Sequence, residues 1–174
     1  ATVGTLDSQD DTSNNITVTV VDNAGNSTAT AGTNNYTVDT IVPTLTNTNI
    51  TVTGCTGTSG ACKNGDTGVA RWDNSATGDN NSDTIASVTL NASAFDDGSS
   101  SLSGSVASGI YTATVGTLDS QDDANNNATV TVVDNAGNST ATAGTNNYTV
   151  DTIVPTVTQA SITVAGCTGT SGAC

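Results

Sequence analysis

The sequence predicts an all-β protein of tandem β-sandwich domains, with about seven strands per 112-residue repeat. Three observations carry this. First, residues 113–174 repeat residues 1–62 in register, and only eight of those 62 positions differ: Thr12/Ala124, Ser13/Asn125, Ile16/Ala128, Leu45/Val157, Asn47/Gln159, Thr48/Ala160, Asn49/Ser161 and Thr53/Ala165. A period of 112 residues is the size of a whole domain, not of a small solenoid unit. Second, several segments alternate apolar and polar residues with the two-residue period of a strand. Third, helix formers are scarce: Glu and Met are absent, while Thr occurs 36 times and Asn 20 times in 174 residues.

The period divides the chain into 1–44, the C-terminal part of one repeat; 45–156, a complete repeat; and 157–174, the N-terminal part of the next. Within the complete repeat, Ile50–Cys55 alternates as a strand and TGTSGA forms a tip. Asn64, Gly65 and Asp66 make a turn before a strand that ends at Trp72, the natural core anchor. Asp73–Asp83 has turn residues at nearly every position and reads as a loop. Thr84–Phe95 places Ala86, Val88, Leu90 and Ala92 on one face. DDGSSSLSGS is a loop or a short strand. Gly109–Leu118 alternates Tyr111, Ala113 and Val115. A turn at DSQDDANNN leads into Ala128–Asp134, with Val130 and Val132 on one face. Asn135–Asn138 closes a hairpin, with Gly137 supplying positive φ. The next strand carries Tyr148 and Val150, and Thr152–Pro155 leaves the sheet because proline cannot donate into a ladder.

Cys55 and Cys62 lie in GCTGTSGAC, and Cys167 and Cys174 lie in an identical copy. The spacing is neither the C-x₂₋₄-C of zinc sites nor a C-x-x-C redox motif. Six small intervening residues suit local disulfides, Cys55–Cys62 and Cys167–Cys174, each closing a tip. Paired cysteines imply an oxidising, extracellular setting.

GDTGVARWD, VTLNASAFDDG, GIYTATV, VTVVDNAGN and YTVDTIVPT, in that order, resemble the bacterial immunoglobulin-like repeats of large surface proteins. Asp134–Asn138 and Val150–Pro155 match the D-x-AGN turn and V-D-T-x-x-P linker of such repeats, as do Asp22–Asn26 and Val38–Pro43. The resemblance implies immunoglobulin-like sandwiches strung in tandem in adhesin stalks, surface layers or extracellular fibres. The local disulfide departs from that pattern.

The net charge is −14, with Lys63 and Arg71 the only basic residues. Nucleic acid is excluded as a partner, because phosphate binding needs a cationic surface. No stretch reaches the ~18 apolar residues of a membrane span. The sequence has no His, no G-x-S-x-G and no P-loop lysine, so no enzyme is expected and no catalytic residue or required cofactor is assigned.

Calcium is the one cofactor the acidic loops suggest, since hard cations take several oxygen ligands. The candidate ligands are Asp119, Asp122, Asp123, Asp134, Asn135 and Asp151, with Asp7, Asp10, Asp11, Asp22, Asn23 and Asp39 as their counterparts. The loop DSQDDANNNATV lacks the Gly and Glu of an EF-hand, and turn-making by Asp and Asn is the favoured reading of these residues. Nine N-x-S/T sequons mark glycosylation candidates: Asn15, Asn26, Asn35, Asn49, Asn80, Asn91, Asn127, Asn138 and Asn147.

Because the chain starts and stops mid-period, it is expected to be a window onto a longer polymer. Its expected partners are neighbouring repeats or copies of itself, with surface glycans as a further class. The expected role is the shaft of an extracellular filament, adhesin stalk or surface layer. The alternatives are a carbohydrate- or surface-binding module and an accessory domain of a secreted hydrolase. The two partial repeats carry apolar strand faces that they cannot cover themselves, so neighbouring units are expected to cover them.

Overall fold

Two-residue alternation becomes strand over most of the computed structural model, which describes residues 11–118 and 123–174. The leading partial repeat contributes β1 (Asp11–Asn14), β2 (Thr17–Val21), β3 (Ser27–Ala31) and β4 (Tyr36–Val38). The complete repeat contributes β5 (Ile50–Thr53), β6 (Cys62–Lys63), β7 (Thr67–Asp73), β8 (Ile85–Asn91), β9 (Leu102–Ser103) and β10 (Ser105–Ala107). It continues with β11 (Ile110–Thr117), β12 (Asp123–Asn126), β13 (Thr129–Asp134), β14 (Ser139–Ala143) and β15 (Tyr148–Asp151). Helix among the described residues is confined to single 3₁₀ turns at Asn47–Asn49, Thr58–Gly60, Gln159–Ser161 and Thr170–Gly172. None is long and apolar enough to cross a membrane.

In the complete repeat one antiparallel sheet runs β10-β11-β7-β5 and another runs β14-β13-β8-β9. A third runs β12-β15-β6, in which β6 lies parallel to β15. β12 and β13 are successive pieces of one path, and β14 and β15 are its return. The interruption between them is bridged by the Gly144 N–H, which donates to the Ala128 carbonyl at 2.9 Å, and by the Asn127 amide, which donates to Asn147 Oδ1 at 2.8 Å. The incoming chain thus changes sheets: β5 pairs with β7, and after the disulfide tip β6 pairs with β15.

The inward faces meet in one core. Ile50 and Tyr111 sit opposite Trp72 on either side of β7, and the Tyr111 ring stacks on Trp72 with centroids 5.2 Å apart. From the other sheet come Leu90 opposite Val130 and Val88 opposite Val132. Phe95, Val115, Leu118 and Val150 are also fully buried. Each fully buried side chain of this size contributes about 1.5–3 kcal/mol through removal from water. Close approach also dictates two glycines. A Cβ at Gly54, where φ is +97°, would lie 2.2 Å from the Thr67 carbonyl oxygen, and one at Gly144 would lie 2.9 Å from that of Ile50.

The strand expected over 84–95 ends at Asn91, with a turn at 92–95 that buries Phe95 as well as Ala92, and its alternation is broken once within β8. Val133 is opposite Ser87, but Asp134 is opposite Ile85, so Ala86 is skipped in the register. This bulge reverses the facing of what precedes it. Ile85 is half-buried against the core, and Ala86 is exposed rather than on the face of Val88 and Leu90.

Candidate functional site at the joint between units

The segment Asp39–Thr46 joins the leading partial repeat to the complete one. It forms no strand, yet the complete repeat holds it at several points. The proline that ends strand pairing, Pro43, is among the fully buried side chains. The Thr44 N–H donates to Asn81 Oδ1 at 2.6 Å, and the Asn81 amide donates back to the Thr44 carbonyl at 2.9 Å. One side chain therefore offers Thr44 the donor and acceptor of a neighbouring strand. Asn81 is itself fixed, since its N–H and its amide both donate to Asn74 Oδ1, at 2.8 and 2.7 Å.

Asp79, in the same loop, gathers the next stretch of chain. Its carboxylate accepts the Thr46 N–H at 3.0 Å, the Trp72 indole N–H at 2.7 Å and the Asn49 amide at 2.8 Å. The core tryptophan and the incoming chain thus share one anion. Burial works to raise the Asp79 pKa, but the donors from Thr46, Trp72 and Asn49 outweigh it and hold the carboxyl below the usual range. The loop keeps its shape through Asp73, which accepts the Ser75 N–H at 2.9 Å and the Arg71 guanidinium at 2.8 Å.

The third contact comes from the β13–β14 hairpin. Asp134 Oδ1 accepts the N–H groups of Ala136, Gly137 and Asn138 at 2.8–2.9 Å. The Asn138 amide donates to Asp134 Oδ2 at 3.0 Å, and across the joint to the Asp39 carbonyl at 3.2 Å and its carboxylate at 3.4 Å. The D-N-A-G-N sequence therefore closes a turn and also presents an amide to the preceding unit's linker. Burial would raise the Asp134 pKa, and the donors of Asn138, Gly137 and Ala136 bring it down instead.

Of the calcium candidates, the described residues place Asp134 and Asn135 at the β13–β14 hairpin and Asp151 at the end of β15. Asp119 and Asp122 lie outside the described residues, and Asp123 is described only as part of β12. Asp134 is occupied by N–H donors, and the exposed Asn135 donates its N–H to the Thr84 carbonyl. Asp151 accepts the Ile153 N–H at 3.1 Å. Of the counterparts, Asp7 and Asp10 lie outside the described residues, and Asp11 is described only as part of β1. Asp22 caps its own hairpin, Asn23 is exposed in that turn, and Asp39 sits at the joint. Among the described residues, no group of three or more acidic, His or Cys side chains converges as a metal site.

Both disulfides are local, Cys55–Cys62 and Cys167–Cys174. The first tip is also tied by the buried Asp66. Its carboxylate accepts the N–H groups of Thr56 and Lys63 at 2.8 and 3.0 Å, the Thr56 hydroxyl at 2.5 Å and the Lys63 ammonium at 2.9 Å. The Lys63 ammonium also donates to the Thr56 hydroxyl. The Lys63 N–H, then the Thr56 donors and the Lys63 ammonium, hold the Asp66 pKa far below the usual range.

The sequons separate by what their amide nitrogens do. A glycan is attached through Nδ2. Asn138 and Asn127 each spend that nitrogen on two or more acceptors, and Asn49, half-buried, gives its own to Asp79. Asn15 and Asn26 donate to Asn35 and Asp22. Asn35 and Asn147 use their side-chain oxygens to accept, and Asn91 uses its oxygen to hold the Ser93 N–H. Asn80 is exposed in a loop of the complete repeat and Asn91 is exposed at the end of β8.

Sequence reasoning missed Asp79 and Asn81. They lie in DNSATGDNNSD, whose composition announces a loop and nothing more. Of the aromatic residues of the complete repeat, Trp72 and Phe95 are buried and Tyr111 and Tyr148 are half-buried. Comparison of the chain with protein families, with curated proteins and with solved structures gives no match.

Proposed function

We propose that the chain is structural: tandem sandwich units forming the shaft of an extracellular filament, adhesin stalk or surface layer. The observation that carries this reading is the joint. The linker Asp39–Thr46 is seated by Asn81, Asp79 and Asn138 of the following unit, and Pro43 is buried there. Its sequence returns at Asp151–Thr158 with a single change, Leu45 to Val157. A spacer that must hold direction needs such a seat at every boundary, since an unseated linker lets neighbouring domains reorient freely. The disulfides support an extracellular setting. The strand order β5-β7-β11-β10 against β9-β8-β13-β14, with β6 beside β15, supports an immunoglobulin-like unit.

The test is nuclear spin relaxation and small-angle scattering on the full chain and on an Asn81→Ala, Asn138→Ala double variant. In the parent chain Thr40–Thr46 is expected to tumble with the complete unit. In the variant the leading segment is expected to tumble faster and the distribution of maximum dimensions to broaden. A parent chain as loose as the variant would refute the shaft reading. Repeating the scattering in calcium and in chelator tests the acidic residues, and identical profiles would leave Asp39 and Asp134 as turn formers.

A further inference from the structure

The only parallel pairing among the described residues joins the first part of the complete unit to its last strand. Val150 sits opposite Cys62 and Asp151 opposite Lys63. Cys62 and Val150 are both buried, so this short pair is anchored by side chains as well as backbone. Its placement matters when the chain is pulled from its two sides. β6 is then drawn from its upstream end and β15 from its downstream end. In a parallel pair those ends are opposite, so the strands slide against one another. Their bonds are strained together rather than one after another.

Between the joint and β6 stand β5 and the disulfide tip. Cys55 follows β5 by two residues, and Cys62 is the first residue of β6. Their Cα atoms are 4.2 Å apart across a sequence separation of 7. Pulled straight, that stretch would span roughly 24 Å at ~3.4 Å per residue. The disulfide therefore removes about 20 Å of slack between β5 and β6. Asp66 reinforces the bypass by holding Thr56 and Lys63, one residue beyond each cysteine.

We propose that tension along the array passes from β5 through the Cys55–Cys62 disulfide into the parallel β6–β15 pair, leaving Thr56–Ala61 as stored length outside the path. This deepens the shaft reading and rests on it for the source of the tension. Reduction by a dithiol opens the path. The Cys55–Cys62 bond breaks, each sulfur becomes a thiol, and the reductant closes to its own disulfide. After that, detachment of β5 must first draw the tip straight.

The test is single-molecule stretching of the full chain, with handles attached by non-thiol chemistry at Thr44 and Thr156. The second disulfide then lies outside the stretched region. The oxidised unit is expected to break in one main event. With dithiol present, a step of about 20 Å should precede a main event at unchanged force. Asp151→Pro, which puts a proline ring into the parallel pair at its exposed end, should lower the main force in the oxidised chain. Three results would overturn the proposal: a reduced chain that breaks without the early step, a main force indifferent to Asp151→Pro, or melting curves showing that reduction alone unfolds the unit. These readouts concern one unit. A flexible joint in scattering would sink the shaft reading and leave them untouched.

Discussion

β2 and β13 share the sequence Thr-Val-Thr-Val-Val, yet Val20 is 60% exposed and its counterpart Val132 is 0% exposed. The same contrast appears at the other end, where Ile50 is 1% exposed and its counterpart Ile162 is 68% exposed. Both copies form the D-N-A-G-N hairpin, with Asp22 or Asp134 accepting from the turn. Both disulfide tips form, each with a 3₁₀ turn. What differs is the apolar contact and one strand. Residues 50–53 are β5, whereas 162–165 form no strand. Lys63–Thr112 supplies β7 and β8, the neighbours that pair with β5 and β13. Turns and tips are therefore local products of this sequence, and burial is a product of the segment that occurs once.

The largest test of that contrast is paired truncation. Ile50→Ala should destabilise the complete unit by about 2–5 kcal/mol, because it removes buried surface and leaves a cavity. Ile162→Ala, the same change at the exposed counterpart, should stay within ~0.5 kcal/mol. Denaturant titration of both variants checks this, and equal costs would mean that residues 157–174 are packed in solution.

A smaller effect is expected at the paired glycines Gly144 and Gly32. A Cβ at Gly144 would crowd the Ile50 carbonyl oxygen at 2.9 Å, whereas at Gly32 the nearest atom, the Ile16 carbonyl oxygen, is at an ordinary 3.5 Å. Gly144→Ala should lower the melting temperature and Gly32→Ala should leave it near that of the parent. If the two were alike, the passage of Ile50 over Gly144 would not be what constrains that residue.

The smallest and most diffuse effect is acid sensitivity. Asp66, Asp79 and Asp134 have folded pKa values below their unfolded ones. Their contribution is complete above the unfolded carboxylate value near ~3.9 and is lost as pH falls below it toward the folded values. The sequence has no His to titrate near neutrality. Melting of the complete unit should therefore be nearly flat from about pH 5 to 8 and fall below about pH 4. Asp79→Asn should blunt that fall, with scanning calorimetry as the measure. An unchanged acid profile in the variant would remove Asp79 from the set that holds the joint.

Much of the unit was legible because its signals are local. Gly137 at φ +96° and Gly65 at φ +84° stand in the turns their sequences announce. The cysteine spacing gave the pairing, and the alternation placed Ala113, Val115, Val130 and Val132 inward, where they are buried, with Tyr111 half-buried beside them. Ala86 was misplaced because a bulge is a disagreement between two strands, and only one of them is in view when a segment is read alone. The joint was illegible for a related reason. Asn81 meets Thr44 across 37 residues and Asn138 meets Asp39 across 99. In a chain with 20 Asn, nothing distinguishes the few that meet a distant backbone from the many that only turn it.

The sequence by itself determined the period, the turns, the disulfide tips and the strand alternation, since each follows from residues within a few positions of one another. The tertiary structure alone decided which copy of a repeated strand is buried, where the bulge falls, and which polar side chains of a featureless loop hold Thr44, Thr46 and Asn49. Those outcomes depend on what lies opposite a residue in space, and identical stretches of chain meet different surroundings.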